Sequence, residues 1–145
     1  MCNNKKDDCN CISEILKVIL LLQLNSTDDE ACLETCDKGF LGNNVVCPKY
    51  NTRPVMLYTA FGNGKPWEMP TSKTGESCED PTTECSNVFR IEKLDGCCAT
   101  FRVLEQCPRG SEKGTTTWKA TNSFFTMDLT CVCAIRCLKD TAVDL

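Results

Sequence analysis

Residues 124–138 read FFTMDLTCVCAIRCL, and every second residue of that stretch is apolar. Phe125, Met127, Leu129, Cys131, Cys133, Ile135 and Cys137 make the row, while Thr126, Asp128, Thr130 and Arg136 fall among the intervening set. Successive side chains of a strand point to opposite faces, so the alternation predicts an extended segment with one buried face. A helix would scatter the same seven residues around its circumference. The run is longer than the usual strand of about 5–6 residues, which predicts a bend or bulge within it. On this reading Cys131 and Cys133 lie on the core face as small buried hydrophobes.

The 145 residues suit one domain with a core of useful size. Fourteen cysteines, a share that signals a disulfide scaffold, dominate the composition, and histidine is absent. Loss of histidine removes the commonest general base and the commonest metal ligand together. The net charge of −4, with Lys and Arg scattered, argues against nucleic acid as a partner. No apolar run reaches the roughly 18 residues needed to cross a bilayer.

The chain begins MCNNKKDDCNCISEILKVILLLQLNST. Glu14 and Lys17 interrupt its apolar part, Asp7 and Asp8 precede it, and no small-residue cleavage site follows, so the expectation is no signal peptide. High cysteine content implies oxidation, whereas this leader implies synthesis in a cytosol. A protein made there and oxidised later satisfies both.

Residues 1–10 read as a polar, flexible lead carrying Cys2 and Cys9, and residues 11–145 as a single domain. Residues 11–24 predict a helix capped by Asn10. Ile12, Ile15, Leu16, Val18, Ile19, Leu20, Leu21, Leu22 and Leu24 leave it only a narrow polar stripe. A helix this apolar either lies buried or offers a spare face to another copy of the chain, for which Ile12, Ile15, Leu16, Ile19 and Leu22 are the candidates. Thr27 to Glu30 resembles a capping box opening a short helix through Cys36, with Cys32 and Cys36 on one face. Gly39 to Pro48 is irregular and holds Cys47.

A β core spans about residues 54–140. Residues 55–61 predict a strand with Val55 and Leu57 on one face, and residues 62–86 form a long connection with Cys78 and Cys85. Residues 88–104 read as a hairpin around Asp95-Gly96. A three-residue loop, Asp95-Gly96-Cys97, sets Phe89 opposite Val103, Ile91 opposite Phe101 and Arg90 opposite Arg102. Cys97 and Cys98 then point in opposing directions. A polar connection with Cys107 and Trp118 follows, with a strand possible from Thr115 to Thr117. The expected class is mainly β, an antiparallel sandwich or barrel-like core preceded by one apolar helix.

No catalytic constellation emerges, and no cofactor motif: residues 62–66, GNGKP, lack the spacing of a phosphate loop. Cys9-x-Cys11, Cys32-x3-Cys36 and Cys131-x-Cys133-x3-Cys137 could give thiolates to zinc, but paired Cys-x2-Cys spacing is missing. Covalent stapling is the remaining chemistry, at roughly 2–4 kcal/mol per cross-link within a chain. Cys2, Cys9 and Cys11, on or beside the lead, are the candidates for bonds between molecules. Cys32, Cys36, Cys47, Cys78, Cys85, Cys97, Cys98, Cys107, Cys131, Cys133 and Cys137 are the structural or cross-linking remainder.

Residues 51–59 (NTRPVMLYT), 89–104 (FRIEKLDGCCATFRVL) and 128–140 (DLTCVCAIRCLKD) resemble the cysteine-rich CotY/CotZ/ExsY family of the spore crust and exosporium. The apolar segment after Cys11 sits where that family has its N-terminal helical region, whereas residues 62–86 and 106–122 match poorly. The resemblance implies a structural protein of the spore surface, made in the mother-cell cytosol. It implies self-assembly into disulfide-reinforced two-dimensional lattices, often hexameric, alongside other coat proteins, with no catalytic residue and no cofactor. The rivals are a monomeric disulfide-rich binding or inhibitor module and a zinc-thiolate protein.

Overall fold

The computed structural model describes residues 9–25, 50–107 and 118–145. The capping box and short helix at 27–36, the irregular segment at 39–48, Cys2, Cys32, Cys36 and Cys47, most of the lead, and the possible strand start at 115–117 lie outside the described residues.

Helix α1 runs Cys11–Asn25, and its start is fixed as the sequence predicts. Asn10 Oδ1 accepts from Ser13 N at 3.0 Å, and Ser13 Oγ accepts in return from Asn10 N at 3.3 Å, a reciprocal cap. Ile12, Leu16 and Ile19, spaced by four and three, form the buried stripe. Gln23, also buried, ends that stripe: its amide donates to Ile91 O at 2.8 Å and accepts from Arg53 N at 3.1 Å. One side chain therefore ties the helix to two parts of the sheet.

The strands are β1 Val55–Thr59, β2 Met69–Pro70, β3 Cys85–Ser86, β4 Val88–Asp95, β5 Cys98–Gln106, β6 Trp118–Asp128 and β7 Val132–Cys137. Five of them form one antiparallel sheet in the order β6-β5-β4-β1-β7, and β2 and β3 pair separately. The class is mainly β with one preceding helix, as expected, but the sheet is not closed into a barrel.

β6 and β7 sit at opposite ends of that order, yet only residues 129–131 join them. In a flat sheet the outer two of five strands stand about 19 Å apart. The four Cα steps from Asp128 to Val132 reach at most about 14 Å. The sheet must therefore curl, and its interior collects the main core. Leu16 and Ile19 of α1 meet Val55 and Leu57, Phe89 and Ile91, Phe101 and Val103, Met127 and Val132 there. Phe101 and Phe125 stack within it and Phe89 meets Phe125 edge-on, with the three ring centroids 4.8–6.2 Å apart.

The expected bend within 124–138 is a single 3-10 turn at Leu129–Cys131. Asp128 caps it, its carboxylate accepting from Thr130 N at 3.0 Å and Thr130 Oγ1 at 2.8 Å. The turn breaks the predicted inward row. Phe125, Met127 and Leu129 keep their place against the core, but the next buried residue is Val132, and Cys131, Cys133 and Cys137 are exposed. A register shift adds to the change, because Tyr58 pairs with Ala134 and Thr59 with Val132, leaving Cys133 as the extra residue. Burial of Cys131 and Cys133 is thus corrected: turn and bulge each change the alternation.

The hairpin holds both a predicted register and an unpredicted one. Phe89↔Val103, Arg90↔Arg102 and Ile91↔Phe101 pair as expected. Nearer the tip the pairs are Lys93↔Thr100, Leu94↔Ala99 and Asp95↔Cys98, so Glu92 is bulged and the loop is Gly96-Cys97. Gly96 takes φ +58°, which suits a turn with glycine in first central position. The bulge keeps Leu94 opposite core-facing Ala99; without it Lys93 would face the core.

The other face of the sheet carries a smaller cluster, Val88, Leu104 and Val143 with Met56, Trp118 and Leu138. The C-terminal residues are held there by Asn51, whose side-chain amide donates to Val143 O (2.7 Å) and accepts from Val143 N (2.9 Å).

Candidate functional site

Sulfur is the chemistry this chain carries in quantity, so its placement defines the site. Two disulfides lie among the described residues, Cys9–Cys97 and Cys78–Cys85. The second closes a loop within residues 62–86, next to the β2–β3 ribbon, and Ser123 Oγ ties that ribbon to β6 by donating to Pro70 O at 2.7 Å. The first joins the residue before the helix cap to the hairpin tip across 88 positions.

Cys9 therefore departs from its expected role between molecules. It is 2% exposed, and its sulfur is already bonded within the chain. Cys11, also a candidate, is exposed and unbonded. Unbonded too are Cys98, Cys107, Cys131, Cys133 and Cys137, all exposed but the half-buried Cys107.

Three of these thiols surround one corner. Leu129 N donates to Cys97 O at 2.8 Å, and Asn10 Nδ2 donates to Leu129 O at 2.8 Å. The helix start, the hairpin tip and the 3-10 turn are thus fastened together. Cys11, Cys98 and Cys131 each lie within two residues of that junction. Cys133 and Cys137 form a second group on β7. Beside Cys137, Arg53 grips Asp140 side-on, Nε to Oδ1 at 2.7 Å and Nη2 to Oδ2 at 2.9 Å. Burial pushes the Cys137 thiol pKa up; Arg53 opposes that shift and Asp140 adds to it.

The helix candidates divide into two faces. Ile12, Leu16 and Ile19 are buried on the sheet, which removes them from contact with any second copy. Ile15 and Leu22 are exposed, together with Val18 and Leu21, which the candidate set omits. The 3.6-residue period separates these sets cleanly once Leu16 is known to face inward. A groove lies between this helix and the hairpin tip, lined by Lys17, Leu20, Leu21, Leu24, Leu94 and Gly96 among others.

Among the described residues no three Cys, Asp or Glu side chains converge in a way that would hold a metal ion. No described helix is long and apolar enough to cross a membrane. The arrangement offers one chemistry, oxidation of surface thiols, on a fold already stapled internally.

The family model for Spore coat protein Z matches residues 1–119. The chain belongs to the spore coat protein Z family. The match takes in the helix, the 51–59 block and the 89–104 hairpin, and leaves residues 128–140 outside it. No curated protein and no solved structure matches the chain. Membership in the spore coat protein Z family supports a structural role at the spore surface, in company with other coat components, and suggests a non-catalytic one.

Proposed function

We propose that this chain is a self-assembling building block of the outermost spore layers, crust or exosporium, in which folded copies form a two-dimensional lattice, built from hexamers, and are then locked by disulfides. One observation supports this reading above others: among the described residues of a stapled fold, six cysteines stay unbonded, and five of them face solvent. A monomeric disulfide module would be expected to pair its thiols internally, since unpaired surface thiols contribute nothing to its stability. The outer helix face, Ile15, Val18, Leu21 and Leu22, supplies the first, non-covalent contact. Synthesis in the mother-cell cytosol keeps the thiols reduced until assembly brings them together.

Size-exclusion and electron microscopy of purified protein, with and without reductant, test the proposal. Ordered sheets are expected in both conditions, with resistance to boiling detergent only without reductant. Elution near 16.1 kDa under non-reducing conditions would overturn it in favour of a monomeric module. Stoichiometric metal in freshly reduced protein would favour a zinc-thiolate protein instead.

A further inference from the structure

β7 is the last strand of the sheet: one edge pairs with β1, and the other pairs with no described strand. The opposite edge strand, β6, is tied to the β2–β3 ribbon through the Ser123 hydroxyl. Cys133, Ala134, Arg136 and Cys137, four of the six residues of β7, are exposed, and both thiols are unbonded. An open edge of this kind is a template for another strand.

We infer that β7 is a two-fold seam between copies of this chain, paired antiparallel with itself and closed by two symmetric Cys133–Cys137 bridges. The inference rests on the self-assembly proposed above and names where one of its junctions lies.

Symmetry narrows the register. Directly opposed residues in an antiparallel pair share a face, and a two-fold axis preserves faces, so opposed positions must be an even number apart. The axis therefore passes through a residue. At Ile135 it places Cys133 opposite Cys137 twice and Ala134 opposite Arg136, keeping the two arginines apart. At Arg136 it sets two guanidinium groups face to face, which opposes pairing. At Ala134 it faces Arg136 with Val132, whose side chain is spent in the core. Opposed Cα atoms lie about 4.5–5.5 Å apart, inside the roughly 4.4–6.8 Å span of a disulfide.

Each bridge forms as two thiols release two protons and two electrons, which dioxygen accepts to leave as hydrogen peroxide. Within one strand Cys133 and Cys137 stand roughly 13 Å apart, beyond the reach of a single bridge. Any Cys133–Cys137 linkage is therefore between chains.

Full-length protein is assembled in reductant, oxidised in air, alkylated, digested unreduced and analysed by mass spectrometry. The linked Cys133–Cys137 peptide is expected as the main product of both residues. Cys133→Ser and Cys137→Ser alone should each lose most detergent-resistant dimer, and an equal mixture of the two variants should regain it through the one bridge left between unlike chains. Recovery of Cys133 and Cys137 as alkylated thiols, or a mixture no more resistant than either variant, overturns the seam. Wild-type protein that never leaves the monomer position overturns the assembly reading and the seam together; ordered sheets lacking this bridge overturn the seam alone.

Discussion

Glu92 Oε1 lies 2.7 Å from Arg90 Nη1 and accepts its hydrogen bond, while Arg102 Nε stands 3.2 Å from the same oxygen as an ion pair without hydrogen-bond alignment. Arg90 and Arg102 face each other across the hairpin, an arrangement that opposes pairing unless a negative charge lies between them. The bulge that frees Glu92 from the ladder supplies that charge. Arg90 is buried and completes its bonds with Thr52 Oγ1 at 2.9 Å and Asn51 O at 3.2 Å, and Arg102 lies over the Phe124 ring at 4.5 Å. Glu92→Ala removes the negative charge that both guanidinium groups share and should cost about 2–3 kcal/mol. Urea unfolding measures it; a loss below about 0.5 kcal/mol, the range of an ordinary surface change, would show that Thr52 and Asn51 suffice for Arg90.

The Cys9–Cys97 bridge spans 88 positions and closes α1 and strands β1 to β4 into a loop, whereas Cys78–Cys85 spans only 7. A longer loop loses more freedom when closed, so the two staples should differ in weight. Cys97→Ser is expected to lower stability by about 2–4 kcal/mol under oxidising conditions and by little in reductant. Cys85→Ser should leave global unfolding nearly unchanged and speed proteolysis within residues 71–84. Denaturant curves with and without reductant, beside limited proteolysis, check both statements.

Where sequence and structure agree, a local rule suffices: the Asn10 cap, the buried pair Val55 and Leu57, and the Phe89↔Val103 register each need only neighbouring residues. Where they part, an inserted residue shifts the alternation. Phe89, Ile91 and Leu94 are spaced by two and then three, a signal of the Glu92 bulge that the turn residues masked. The row through Cys131, Cys133 and Cys137 carries no such signal, since cysteine suits either face. Its exposure depends on β7 crossing to pair with β1, a long-range choice. The Asn51 clamp on Val143 and the Cys9–Cys97 pairing are long-range in the same sense, and spacing alone leaves both open.

The two faces of α1 should respond differently to mutation. Leu16 is fully buried, and Leu16→Ala should cost about 2–5 kcal/mol. Val18→Ser with Leu21→Ser changes exposed positions and should leave monomer stability within roughly 1 kcal/mol for the pair. The same double variant should slow sheet formation in reductant, read by light scattering. Assembly at the wild-type rate would remove the outer helix face from the first contact.

Acid should loosen the region around Cys137 before the core. The Asp140 pKa is held below the usual carboxylate value, chiefly by the hydrogen bond from Arg53, and that same bond raises the Arg53 pKa. A depressed carboxylate pKa stabilises the fold above the unfolded value, and the contribution fades as pH falls through the folded one. Loss is therefore expected only below about pH 4, and the pair's partial exposure keeps it under about 1 kcal/mol. Asp140→Asn should remove that part of the acid slope. It should also speed alkylation of Cys137 near neutral pH, because the variant removes a negative charge that raises the thiol pKa and leaves the Arg53 charge unopposed. An unchanged alkylation rate, followed by mass spectrometry under reducing conditions before assembly, would mean that burial alone controls this thiol.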